Sequence, residues 1–417
     1  MANIDVDAYS YAYYRASFAR KMQLSLCMIV KNEEHALPKC LGSVRGVVDE
    51  MIVLDTGSSD RTLEVAANFG AKVHTFAWCN DFSQARNQAL KYVQGDWVLV
   101  LDADELLVAE IVPLLRQAIQ GDRFLVINLL RQEVGASQSP YSHVSRLFRN
   151  HPDVYFSRPY HALIDDSVTQ ILSKEPQWQI GYLPDVAILH EGYQKSAIVQ
   201  KDKFAQAQAA MESFLASHPQ DSYVCSKLGA LYVETGAWQR GIELLERGLN
   251  QRGTNAQILY ELNYHLGIAY TRLQQPQKAI AHYQAAIGLG IYPKLKLGAY
   301  NNLGNLRRTI GDLNGAKLAY EIALQIDPNF VTAQYNLAML LKALGAFPQA
   351  ILAYQKAIAL NPDYAEAYQN LGVVLLKVGQ LNDGLTAFKH AITLHESQNP
   401  VEANRLRQGL EEMGFSV

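Results

Sequence analysis

The second half of the chain is built from a recurring unit, and no other feature restricts the fold as tightly. From about His218, "KLGALYVETGAWQRGIELLERGL", "HLGIAYTRLQQPQKAIAHYQAAI", "NLGNLRRTIGDLNGAKLAYEIAL", "NLAMLLKALGAFPQAILAYQKAI" and "NLGVVLLKVGQLNDGLTAFKHAI" align with one another. Gly229, Gly267, Gly304, Ala338 and Gly372 share one small position, each preceded by Leu. A second small residue (Gly241, Ala279, Ala316, Ala350, Gly384) follows at the same distance in every unit. The step from Gly304 to Ala338 equals that from Ala338 to Gly372. Pro328 and Pro362 stop two of the units. Small residues in register on two amphipathic segments predict pairs of closely packed antiparallel helices. Each pair buries its apolar face only against its neighbours.

Before the repeats the period is different. "LSLCMIV", "MIVLD", "AKVHTF", "WVLVLD" and "RFLVINLL" are short runs rich in Val, Ile and Leu, which read as buried strands. Helical spacing lies between them at Arg61–Phe69 and Phe82–Val93, with Asp60 and Asn80 or Asp81 as caps. This alternation predicts an α/β domain with a largely parallel sheet. The expected divisions are an arm at 1–21 carrying Tyr9, Tyr11, Tyr13 and Tyr14, an α/β domain at 22–195, a bridging helix at 196–217, five repeats at 218–394 and a capping helix at 395–417.

In an open α/β sheet, ligands bind at the carboxyl ends of the strands. Three polar clusters fall there: Lys31-Asn32-Glu33-Glu34, Asp55-Thr56-Gly57-Ser58-Ser59-Asp60, and Asp102-Ala103-Asp104-Glu105. Three neighbouring acids repel one another and call for positive charge. In an extended segment Asp102 and Asp104 point the same way. Such oxygen ligands suit Mg²⁺ or Mn²⁺ bridging a diphosphate. Gly57 and Ser58 let a backbone loop approach that ligand. Arg86 and Asn87 occupy the polar face of the Phe82 helix, where Arg86 is either a bidentate phosphate grip or a solvated arginine.

Composition narrows the partners. Of 417 residues 49% are hydrophobic and 18% charged, and the net charge of −3 provides no basic field for nucleic acid. No apolar run approaches a membrane span. Cys27, Cys40, Cys79 and Cys225 form no C-x-x-C pair, which fits reduced thiols and a cytoplasmic protein.

Two resemblances follow from these residues. The repeated units resemble the tetratricopeptide repeat across the whole of 218–394. "LCMIVKNEEHALPKCLGSV", "EMIVLDTGSSDRT", "WCNDFSQARNQAL" and "VLVLDADE" resemble, in order, the hallmark segments of family 2 glycosyltransferases. That resemblance implies a GT-A fold and inverting transfer of a hexose-like sugar from a nucleotide sugar, taken as a UDP-sugar. It places Asn32, Glu33 and Asp55 at the nucleotide, Asp102 and Asp104 at the metal and diphosphate, and His190 of "AILHEGY" as a further metal or phosphate contact. Thr56 stands where many members have a second acid. Related sequences carry a His-Glu pair late in the domain, whereas "RPYHALIDDSV" keeps His161 but has Ala162. Asp165 and Asp166 are the nearest replacements for the general base.

The leading reading is therefore a glycosyltransferase. A repeat-based scaffold with a degenerate transferase domain is the rival, and a nucleotidyltransferase ranks behind both because "VKNEEHALPK" has no glycine. Asn302, Asn336 and Asn370 recur at equal intervals on the first segment of their units. Such a row of amides can pair with an extended peptide, so a protein or peptide acceptor is expected, with lipid-linked saccharide as the alternative.

Overall fold

A computed structural model describes residues 21–191 and 197–415, with only the backbone of 197–203. The tyrosine-bearing arm lies outside the described residues. The chain forms two compact units: 21–130 with 144–189, and 131–143 with 190–415.

The first unit carries the sheet. Its strands are β1 (Leu24–Val30), β2 (Glu50–Asp55), β3 (Lys72–Thr75), β4 (Trp97–Val100), β5 (Glu105–Leu107), β6 (Phe124–Glu133), β7 (Tyr141–Arg149) and β8 (Gln179–His190), in the spatial order β3-β2-β1-β4-β7-β6-β8-β5. β1 pairs in parallel with β2 and β4, and β2 with β3, while β7 runs antiparallel to β4. The sheet is thus mixed, and the largely parallel expectation holds for its first half alone. Leu24, Leu26 and Met28 pack one face against α1 (Leu37–Val44) and α4 (Val112–Ala118), where Leu37, Leu41 and Leu115 are buried. Cys27, Ile52, Val98 and Phe148 cover the other face, under α3 (Phe82–Leu90) and α5 (Asp165–Lys174). The short α2 (Thr62–Asn68) follows β2.

Connections run from β1 outward to β2 and β3, then return across β1 to β4. The order reverses between β1 and β4, and the crevice past their carboxyl ends is where such sheets bind ligands.

In the second unit, α6 (Ala197–Ser217) is one helix, as expected of the bridge. Five helix pairs follow: α7 (Ser222–Glu234) with α8 (Trp238–Leu249), α9 (Ala256–Arg272) with α10 (Pro276–Gly288), α11 (Leu297–Thr309) with α12 (Leu313–Ile326), α13 (Val331–Ala343) with α14 (Phe347–Leu360), and α15 (Ala365–Lys377) with α16 (Leu381–Gln398). The cap, α17 (Pro400–Glu412), starts after α16 has run on past His395. A Cβ on Gly304 would stand 2.5 Å from the ring of the buried Tyr320, so the small position is a seat for an aromatic ring. In the first pair Gly229 and Gly241 face each other, and a Cβ on Gly241 would meet Gly229 O at 2.9 Å. Glycine at both places follows from that approach.

This unit also includes Arg131–His143, which lies against the first helices of the central pairs. Tyr141 Oη donates to Asp327 Oδ2 at 2.9 Å, Thr332 Oγ1 to Ser137 O at 2.7 Å and Gln257 Nε2 to His143 O at 3.3 Å. The Tyr141 ring joins Leu297, Phe330 and Ala333 in one cluster.

Candidate active site

The three acids after β4 do not continue the strand. Glu105 N–H donates to Asp102 O at 3.0 Å, closing a tight turn over Asp102–Glu105, so the extended spacing expected of Asp102 and Asp104 is replaced by a turn. Glu105, wholly buried, accepts the Asp102 N–H at 2.9 Å. Cys40 Sγ of α1 reaches Asp102 O at 3.5 Å.

The positive charge that these acids require comes from the chain. Arg86 Nη2 of α3 donates to Asp102 Oδ1 at 2.6 Å, and Arg146 Nη2 of β7 donates to Oδ2 at 2.9 Å. Arg146 Nη1 also lies 3.8 Å from Glu105. Burial by itself raises the Asp102 carboxyl, but the two guanidiniums, Arg146 ahead of Arg86, outweigh it and hold the group well below the usual carboxylate range. Arg86 is buried, not solvated, and its fork is directed at a carboxylate. Arg146 was missing from the sequence reading. The signal was three adjacent acids whose positive charge was expected from a divalent cation alone, with no arginine assigned to them.

The other strand-end clusters tie themselves together. Asp55, 3% exposed, accepts from Gly57 N–H at 2.9 Å, from Ser58 N–H at 3.0 Å and from the Ser58 hydroxyl. Its carboxylate folds the loop. Gly57 takes φ +106°, which a side chain would strain. Ser58 Oγ accepts the Asn32 N–H and Asn32 Oδ1 accepts the Ser59 N–H, both at 2.8 Å, so the loops after β1 and β2 form one rim. Glu33 N–H joins through Thr62 Oγ1 at 2.8 Å.

Asn87 is likewise engaged. Its amide donates to Phe156 O at 2.9 Å and accepts Phe156 N–H at 2.7 Å, fastening the chain before α5. Asn87→Ala is expected to lower stability by about 1–3 kcal/mol, because both backbone groups lose their partner. A thermal melt checks this, and an unchanged midpoint removes the clamp.

Among the base candidates the geometry separates the acids. Asp166 receives both Arg158 Nη1 at 2.6 Å and Ser157 Oγ at 2.6 Å. Asp165 receives Ser145 Oγ at 3.3 Å on Oδ1, while its Oδ2 is shielded from solvent and has no hydrogen-bond partner. Burial pushes the Asp165 carboxyl up, against the Ser145 hydrogen bond and with the help of the Asp166 charge. Consecutive residues of β7 thus hold two carboxylates, Ser145 on Asp165 and Arg146 on Asp102. His161 is exposed, with φ +51° and its ring edge-on to Tyr160.

His190 belongs to the second unit, where its Nδ1 meets Glu133 Oε2 at 2.5 Å. It has a carboxylate as its neighbour. Asn302, Asn336 and Asn370 staple successive repeats: their amides donate to Tyr264 Oη at 3.4 Å, Asn301 Oδ1 at 2.8 Å and Tyr335 Oη at 3.0 Å. His151, Asp153 and Glu175 also cluster. They follow the end of β7 that pairs with the start of β4, at the opposite end of the sheet from Asp102. Asp153 N–H donates to His151 Nδ1 at 3.2 Å. His151 Nε2 lies 3.6 Å from Glu175 Oε1.

The fold is an α/β domain with an acid turn at its switch point, and comparison with known proteins gives its family. Residues 25–181 match the model of glycosyl transferase family 2, and residues 260–289, 297–330 and 340–379 match tetratricopeptide-repeat models. Residues 25–181 are thus a family 2 glycosyltransferase domain, followed by tetratricopeptide repeats. The chain is 45% identical to a TPR repeat-containing protein of Synechococcus elongatus over 307 residues, 74% of this chain and 75% of that one. It is 26% identical to the glycosyltransferase SunS of Bacillus subtilis over 198 residues, 46% of this chain and 45% of SunS. The helical part is similar to the crystal structure of YrrB, a TPR protein with an unusual peptide-binding site (16% identity, 48% of this chain and 98% of YrrB, TM-score 0.38). No described helix is long and apolar enough to cross a membrane.

Proposed function

We propose that the protein transfers a sugar with inversion from a UDP-sugar to a protein or peptide acceptor. The observation that carries this reading is the acid turn at the switch point, where Asp102 is held by Arg86 and Arg146. Three acids and two guanidiniums leave the turn with a net charge of about −1, suited to a cation that arrives with a diphosphate. Asp104 and the remaining lone pairs of Asp102 would hold that cation. When bound, it neutralises the departing diphosphate. The rim formed by Asn32, Glu33, Gly57 and Ser58 borders the same crevice and would take the nucleotide.

Asp165 Oδ2 is the proposed base. As the acceptor atom attacks the anomeric carbon, its proton passes to this oxygen, and the bond to the diphosphate breaks on the far side. A carboxyl raised by burial is a stronger base than an ordinary aspartate. Asp165 therefore supplies what the Ala162 substitution removes, which counts against a degenerate domain.

Incubating the purified protein with Mn²⁺ and a panel of nucleotide sugars is expected to release free nucleotide from a UDP-sugar. EDTA or Asp104→Asn should suppress that release. Absence of release with every donor and metal would overturn the proposal.

A further inference from the structure

Three cations on the first helices of the last repeats have no counter-charge. Arg308, Lys342 and Lys377 lie near the carboxyl ends of α11, α13 and α15, one to each repeat. None has a carboxylate within 4.0 Å among the described residues. This contrasts with Lys227 in the first pair, whose Nζ meets Glu261 at 2.6 Å. Lys342 Nζ donates to Asn370 Oδ1 at 2.5 Å, and Asn370 in turn donates to Tyr335 Oη at 3.0 Å. The Tyr335 ring lies 5.9 Å from Tyr354, which is fully buried with its hydroxyl unpartnered. Arg308 Nε is also shielded and unpartnered. Burial first, then the charges of Lys377 and Arg308, push the Lys342 ammonium down. Glu366 acts on Tyr335 and Tyr364 but forms no ion pair with these cations.

We propose that Arg308, Lys342 and Lys377 form a docking site for an acidic polypeptide segment, whose carboxylates supply the missing charges one repeat at a time. Packed helices stand about 10 Å apart. A polyproline-II chain advances about 9 Å in its three-residue turn and returns the same face there. The spacing that fits is therefore an acid at every third residue. A single phosphate would answer one cation and leave the others unmatched. The site stands whether or not the docked segment also accepts the sugar.

The test measures binding of a labelled Glu-Pro-Pro trimer of repeats to the full chain, beside its Gln-Pro-Pro counterpart and a peptide with the three glutamates adjacent. The spaced acidic peptide is expected to bind at least tenfold more tightly than the glutamine peptide, and to weaken as salt screens the contact. Lys342→Gln, Arg308→Gln and the exposed Lys377→Gln should each weaken it, by about tenfold for the two inner charges. Lys317→Gln, on α12 beside Glu321, should not. Equal affinity for the acidic and glutamine peptides, or parent affinity in all three variants, would overturn the site. Equal affinity for spaced and adjacent glutamates would overturn the one-repeat register. Lys377 is exposed, so its variant keeps the test decisive if an inner substitution disturbs folding.

Discussion

Asp102→Asn is expected to remove turnover and stability together. The stability loss follows from what this acid touches. Arg86 and Arg146 are only 10% and 16% exposed, and both guanidiniums face Asp102. Deleting one partner of a buried ion pair costs several kcal/mol, because the other charge stays desolvated. Asp102 is itself 36% exposed, so water screens part of that loss, and about 1–3 kcal/mol is the expected net effect. The pH dependence has a definite sign. Asp102 titrates well below its unfolded value of about 3.9, so its contribution is present above that value and disappears as pH falls through the folded one. Acid unfolding of the asparagine variant should lack this component. Equal melting of Asp102→Asn and the parent would show that the two arginines do not depend on it.

Asp165→Asn should leave donor binding intact and reduce glycosyl transfer by ~10²–10⁴, the range for losing a general base. Asp166→Asn should act far less on rate, since Asp166 is already bound by Arg158. Because the Asp165 carboxyl is raised, the acid limb of the rate profile should fall above the ordinary aspartate range and vanish in the Asn variant. The linked stability runs opposite to that of Asp102: it is present below the unfolded value and lost as pH rises through the folded one. Parent-like transfer by Asp165→Asn would place the base elsewhere, with exposed His161 next in line.

The apolar strands were legible because burial on both faces writes a continuous run: "LSLCMIV" became β1 residue for residue. β7 was not legible. Of "YSHVSRLFR" only Leu147 and Phe148 are buried, and six half-exposed positions precede them. That strand nevertheless carries Ser145 and Arg146. Arg146 meets an acid 44 residues earlier in sequence, a pairing no local pattern announces. The repeats were legible for the opposite reason, since each contact recurs one unit further along the chain. Their asparagines are ambiguous, because the same recurrence describes a ladder facing a ligand and a staple between neighbours.

The segment Arg131–His143 also gives the protein a timetable. Ser137 waits for Thr332, 195 residues downstream. At a synthesis rate of ~5–20 residues per second, that interval is roughly 10–40 s. Throughout it, Tyr141 and its neighbours have been made but their cover has not left the ribosome. Nascent chains ending before α13 should therefore be cleaved readily by protease within 131–143, and chains that include α13 should resist. A cut between the halves, however well placed in a linker, would leave one product with an exposed aromatic segment and the other with an unfilled seat.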